Sequence, residues 1–309
     1  NFNANLKINY IKNKSDGAVG HTDINCGANG VADPVYLLQG GLVIPSNADC
    51  NDSDGLYHTS DGATALVSNA PTGSGGDPRF ENGVPYGETE IFFGRLKWDL
   101  DLSDTLTLSS VSGYLSLDAV DTDCYAYVGQ FANGAPGNAG CSDPVNKTEQ
   151  FTQELRVTSD FDGMFNFMLG AFYENRDIDF NTSQQGVNIS FVAPDPVTGF
   201  TYDWYKKQNT KTEALSFFAS ASLAFTDQLE LSGGVRWTDE KKVSRISVPY
   251  VHSFLSATPA FINSGFFSGP ITFKDSNFSP EVSIKYQATP DVNIYAAFKT
   301  GFKSGGIDN

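Results

Sequence analysis

Residues 212–238 read TEALSFFASASLAFTDQLELSGGVRWT, two alternating runs on either side of a short polar break. In the first run Leu215, Phe217, Ala219, Ala221, Leu223 and Phe225 recur at every second position. In the second, Leu229, Leu231, Val235 and Trp237 alternate with Glu230, Ser232, Arg236 and Thr238. A period of two is the mark of a β-strand with one apolar and one polar face. Thr226-Asp227-Gln228 between the runs has the composition of a tight turn. The stretch predicts a hairpin of two long strands.

The same pattern extends in both directions. Phe2, Ala4, Leu6, Ile8 and Tyr10 share one face, with Asn3, Asn5, Lys7 and Asn9 on the other. Thr89–Asp101 sets Phe92, Leu96, Trp98 and Leu100 against Arg95 and Lys97. Thr105–Leu117, Gln150–Ser159, Met164–Glu174, Asn277–Tyr286 and Val292–Lys299 complete a set of about nine strands of roughly 10–15 residues each, longer than soluble sheets favour. Their connections alternate. Asp101–Asp104, Asp160–Gly163, Thr226–Gln228 and Ala288–Asp291 are short. Stretches near Asn13–Gly87, Ala119–Thr148, Asn181–Lys211 and Ser244–Ser276 read as long loops.

That asymmetry argues against a soluble β-sandwich, which has no reason to keep every second connection short. It fits an antiparallel transmembrane β-barrel with short periplasmic turns and long extracellular loops. Tyr10, Trp98, Tyr173, Phe225, Trp237, Tyr286 and Phe298 fall near strand ends, where interfacial aromatic girdles are expected. Composition agrees: 24 Phe, 13 Tyr and 30 Gly stand beside only 2 Met, which favours strands and turns over helices. No run is long and apolar enough for a transmembrane helix. The reading is all-β, a partial barrel of about nine strands belonging to a larger one.

The formal net charge of −16 makes the chain a poor nucleic-acid partner, since no basic surface displaces counterions. The N-terminus, Asn1-Phe2-Asn3-Ala4, has no signal peptide and reads as mid-strand, so a fragment of a longer protein is expected. Cys26, Cys50, Cys124 and Cys141 lie in Gly/Asn/Asp-rich stretches and suggest two local disulfides made outside the cytoplasm. Sequence does not fix the pairing; Cys26–Cys50 and Cys124–Cys141 are the nearest-neighbour choice.

Three segments carry a family resemblance. Gln153-Glu154-Leu155-Arg156-Val157-Thr158-Ser159, followed by a short turn and Gly170-Ala171-Phe172-Tyr173, is the first. Leu229–Lys242 is the second, and Tyr295–Gly306, YAAFKTGFKSGG, the third. In this order and hairpin spacing they resemble barrel strands of TonB-dependent outer-membrane receptors over most of residues 88–306. The resemblance implies a barrel of about twenty-two strands, plugged by an N-terminal domain, importing a scarce ligand such as a ferric siderophore. Energy would come from the TonB complex, acting on an N-terminal TonB box. Residues 1–309 are read as barrel alone, without plug or TonB box. The localisation implied is the bacterial outer membrane, with lipid and lipopolysaccharide as neighbours. A passive porin and a surface adhesin are the alternatives.

Catalysis has little support. His21, His58 and His252 lie in expected loops, with no nucleophile elbow and no phosphate-cradling Gly-rich loop nearby. No cofactor is expected. Asp49, Asn51, Ser53 and Asp54-Gly55 loosely resemble a calcium loop, but the Gly falls one place late and no Glu closes it, so no metal site is assigned. Arg95, Lys97, Glu154, Arg156, Glu230, Arg236 and Lys285, with Glu281, are expected on the lumen face, where they guide a charged ligand, contact a plug, or only neutralise one another. Tyr125, Tyr127, Phe131, Tyr202, Trp204 and Tyr205 are loop candidates for stacking on a ligand.

Overall fold

The computed structural model describes residues 1–16, 35–37, 42–44, 86–130, 136–187, 195–199, 203–256 and 264–306. The strands are β1 (Phe2–Asp16), β2 (Val35–Leu37), β3 (Leu42–Ile44), β4 (Tyr86–Ser103), β5 (Leu106–Asp121), β6 (Asp123–Gln130) and β7 (Pro136–Ser142). They continue with β8 (Val145–Ser159), β9 (Phe165–Val187), β10 (Trp204–Thr226), β11 (Leu229–Val251), β12 (Phe266–Thr289) and β13 (Val292–Lys299). One short helix, α1 (Ser253–Ser256), follows β11. The main sheet runs β1-β4-β5-β8-β9-β10-β11-β12-β13, each strand antiparallel to the next. β2 and β3 pair apart from it.

All four expected tight turns form, joining β4 to β5, β8 to β9, β10 to β11 and β12 to β13. Side chains close them. Thr226 Oγ1 accepts from the Gln228 and Leu229 amides at 3.2 and 3.0 Å. The Asn166 amide group accepts from the Phe161 N–H at 2.7 Å and donates to the Phe161 carbonyl at 3.2 Å. These are local substitutes for the ladder bonds that a reversing chain gives up.

Register sorts the side chains onto two faces. Tyr10 lies opposite Phe92, Leu6 opposite Leu96, and Phe2 opposite Leu100. The same face continues through Leu155, Leu169, Phe217, Trp237, Phe278 and Phe298. Its apolar residues are largely bare: Leu6 is 65% exposed and Phe278 67%. An apolar surface this continuous belongs against lipid. Phe2 to Tyr10 covers the 9–11 residues that a tilted strand needs to cross the hydrocarbon. Phe92 and Tyr114 meet at 6.1 Å, and Phe217 stacks on Trp237 at 6.0 Å, within an aromatic row at the upper edge of the band.

The strands are longer than the sequence suggests. β9, β10 and β11 each have 23 residues and β12 has 24. The stretches read as loops at Asn181–Lys211 and Ser244–Ser276 therefore begin and end as strand. Between β5 and β8 a hairpin, β6–β7, replaces an expected loop, and β7 pairs with the upper end of β9. The reason is visible in Lys206–Glu213, KKQNTKTE, which is polar on both faces. Along this stretch neither face is apolar, so the alternation that identifies a strand disappears while the backbone ladder continues. Buried apolar residues also collect there: Val120, Ile246, Val248, Tyr250, Val251 and Leu255 are the buried hydrophobics of the described residues.

Neighbouring positions on β1 give a direct test of the two faces. Leu6→Arg should destabilise the complete receptor in phospholipid vesicles by about 2–4 kcal/mol, and Asn5→Arg by no more than about 1 kcal/mol. Urea unfolding measures both; equal losses would contradict the assignment of the faces.

Candidate functional site

The face opposite the lipid carries all seven charged residues expected in the lumen. One row of that face runs Asp99, Ser109, Arg156, Gly170, Phe218, Arg236 and Ser279, from β4 to β12. Its centre is organised by a glycine. Phe218 lies across Gly170, and a Cβ at Gly170 would strike the Phe218 ring and come within 2.9 Å of the Leu155 carbonyl. The guanidinium of Arg236 then sits 5.3 Å from the ring centre of Phe172 and 5.7 Å from that of Phe218. It donates to Ser216 Oγ at 3.0 Å. Planar charge over aromatic rings suits arginine better than lysine.

Around Arg236 the wall forms a depression of about 440 Å³, lined by Glu154, Arg156, Phe218, Arg236, Glu281 and Lys299 among others. Arg156 lies 3.6 Å from Glu154, and Lys299 lies 3.0 Å from Glu281. Lys299 belongs to this group although it was not among the residues expected on the lumen face. The other expected residues sit elsewhere. Lys97 pairs with Asp99 at 2.8 Å on β4, and Asp99 also accepts from Ser109 Oγ at 2.6 Å. Arg95 lies two residues along the same face. Glu230 is opposite Lys285 near the tight turns, in a second depression with Asp162 and Gln228.

Higher on the wall Lys242 forms a site that sequence reasoning missed. Its Nζ donates to Ser304 Oγ and, at 2.7 Å, to the Gly305 carbonyl, and lies 3.4 Å from Glu240. The SGG end of the third family-like segment is thereby held against the inner wall, where Gly305 leaves room for the Phe273 ring.

The aromatic candidates do not form one cluster. Trp204 and Tyr205 belong to β10 rather than to a loop. They also face opposite sides of the sheet: Trp204 Nε1 donates to Gln184 Oε1 at 2.9 Å, whereas Lys207 lies over the Tyr205 ring at 5.1 Å. Tyr125 and Tyr127 fall in β6. Phe131, Tyr202, Cys26, Cys50, His21, His58 and the Asp49–Gly55 stretch lie outside the described residues. Among the described residues no group of three or more His, Cys, Asp or Glu is arranged to hold a metal.

A second missed feature ties two long connections together. Asp195, 2% exposed, precedes β10 and accepts from Tyr250 Oη at 2.9 Å, the Ser253 amide at 3.0 Å and Ser253 Oγ at 3.0 Å. It also closes its own turn by accepting from the Val197 amide at 2.9 Å, and Gly199 completes that turn at φ 75°. Burial pushes its carboxyl upward, but these four hydrogen bonds outweigh burial and hold it well below the usual carboxylate range. Pro194-Asp195-Pro196 with Gly199 announces a turn in the sequence. Nothing there announces the partner some fifty residues away, which only the β10–β11 register supplies.

The family model for the TonB dependent receptor-like β-barrel matches residues 39–309. The chain belongs to this family of outer-membrane transporters, which are not enzymes. The long connections are therefore extracellular and the tight turns periplasmic. No curated protein matches the chain. Among solved structures it is similar to the ferric yersiniabactin uptake receptor FyuA from Yersinia pestis, with TM-score 0.53 and 16% identity. That match covers 69% of this chain and 28% of FyuA. It is also similar to the open form of the ferric-catecholate import receptor Fiu from E. coli K12, with TM-score 0.52 and 15% identity, over 96% of this chain and 44% of Fiu. The chain thus spans less than half the length of either receptor.

Two outcomes are expected from this geometry. Gly170→Ala should cost about 1–3 kcal/mol of stability, because the ring it displaces also carries Arg236, whereas Arg156→Ala should cost less than about 1 kcal/mol. Asp195 has a depressed folded value, so its contribution is complete above the ordinary carboxylate pKa and fades only as pH falls through the lower folded value. Amide exchange of residues 250–256 should accordingly be unchanged, after correction for intrinsic rates, between neutral and mildly acidic pH. Asp195→Asn should raise it throughout that range.

Proposed function

We propose that the complete receptor imports a ferric siderophore or a similar iron complex across the outer membrane, energised by the TonB complex. One observation carries the reading: a TonB-dependent receptor barrel whose inner wall presents Arg236 in a depression where Glu154 and Glu281 pair with Arg156 and Lys299, leaving a net positive charge. Cations grouped on a lumen wall attract the oxygen-rich, often anionic ligands of such chelates. The ferric-complex receptors FyuA and Fiu share the fold and support the choice of iron. Tyr125 and Tyr127, in the hairpin above β8, are assigned to ligand stacking, together with Phe131 and Tyr202.

Radio-iron uptake tests the proposal in cells stripped of their own siderophore receptors and expressing the full-length protein. Iron supplied on the correct siderophore should accumulate above the vector control, and accumulation should vanish without TonB. Uptake that persists without TonB would move the protein toward passive diffusion.

We also propose a Cys124–Cys141 disulfide. The two residues are direct partners in the β6–β7 register. Residues so placed have Cα atoms about 4.5–5.5 Å apart, within the span of a disulfide. Chymotrypsin cuts after Tyr125, Tyr127 and Phe131, so an unreduced digest of the receptor should hold the Cys124 and Cys141 peptides together. Free thiols at both positions, or linkage to Cys26 or Cys50, would overturn the pairing.

A further inference from the structure

Above the aromatic row the lipid-side face becomes charged, and most of its lysines are neutralised. Lys12 contacts Glu90 and lies 3.1 Å from Glu88, and Lys14 lies 3.1 Å from Glu88. Lys147 reaches Asp118 at 2.8 Å, and Lys211 reaches Asp177 at 3.0 Å. Lys241 and Lys274 break this pattern. The β11–β12 register sets them directly opposite one another, both exposed. Neither is ion-paired among the described residues, and neither is Arg245, exposed further up the same face of β11. Two carboxylates stand nearby, Glu213 opposite Lys241 on β10 and Asp239 two residues below it.

Like charges facing each other across a ladder destabilise it unless an anion lies between them. Their height identifies the anion. Trp237 and Phe278 lie opposite one another in the interfacial row, and Lys241 and Lys274 lie four residues further toward the extracellular end. That is about 13 Å along the strand, at the level of the lipid headgroups. We infer that Lys241 and Lys274, with Arg245 above them, dock a phosphate-bearing headgroup of the outer-leaflet lipid. Charge complementarity selects this occupant, because phosphate is the anion fixed at that height on the lipid side of the wall. The inference rests on the outer-membrane placement and not on which ligand is imported.

The test is the phosphorus that remains bound to full-length receptor after extraction from outer membranes and extensive washing in mild detergent. Wild type and Lys147→Gln should retain equal amounts in the lipid fraction. Lys241→Gln combined with Lys274→Gln should lose at least half, with folding checked by heat-modifiable migration on gels. Equal retention in the double variant, or phosphorus that dialyses away as free phosphate, would overturn the inference. Should the double variant not fold, wild-type melting decides: a higher Tm in phosphatidylglycerol vesicles than in vesicles of a galactolipid, which carries no phosphate, supports the site, and equal Tm values overturn it.

Discussion

Backbone hydrogen bonding in a solvent without water is the constraint on which the rest depends. Every N–H and C=O crossing the hydrocarbon must pair with a neighbouring strand. Nine strands of the eleven-stranded sheet satisfy this along one antiparallel path, β1-β4-β5-β8-β9-β10-β11-β12-β13, which forms a meander. β1 and β13 are the edges of that meander. Once the ladder is fixed, side-chain direction follows. A slip of one residue would exchange the lipid face for the lumen face, so the alternation of Leu6 with Asn5 and of Trp237 with Arg236 is tightly held.

Within the membrane the sequence was highly legible because each strand carried two contrasting faces. Every tight turn and the side of every charged wall residue could be read from it. Above the membrane that contrast vanished. Gln208, Asn209 and Thr210 are strand residues as surely as Phe217 and Phe218, yet both of their faces meet polar surroundings. The β6–β7 hairpin was hidden in a Gly- and Asn-rich stretch, and the strand character of Trp204 and Tyr205 by two adjacent aromatics that show no alternation. Of the residues around the depression the sequence offered Glu154, Arg156, Arg236 and Glu281 but neither Phe218 nor Lys299, and it did not offer their grouping. Nothing local brings Arg156 and Arg236 into one row with Gly170 and Phe218; the registers of β8 to β11 do so.

The inner wall neutralises much of its own charge. Lys97 with Asp99, Arg156 with Glu154, Arg176 with Glu174 and Lys242 with Glu240 are pairs two residues apart on one strand. Such pairs need no neighbouring strand. The first three are partly exposed and individually weak, whereas Glu240 of the fourth is buried. Arg236 stands apart. Its partners are two aromatic rings and hydroxyl groups, leaving its full positive charge available on the wall.

The long strands also set the mechanical character of the extracellular end. A strand of 23 residues spans about 76 Å if fully extended, far more than the bilayer requires. The loops therefore rise from a hydrogen-bonded wall and not from the membrane surface. Asp195 makes the upper edge of that wall a joint structure, since the connection before β10 is bonded to Tyr250 and Ser253 beyond it. The buried residues Val251 and Leu255 collect at the same place. Apolar packing is thus absent where lipid supplies the apolar phase and present where water surrounds the strands. The bilayer organises the lower half of the wall from outside, and the upper half must supply its own core.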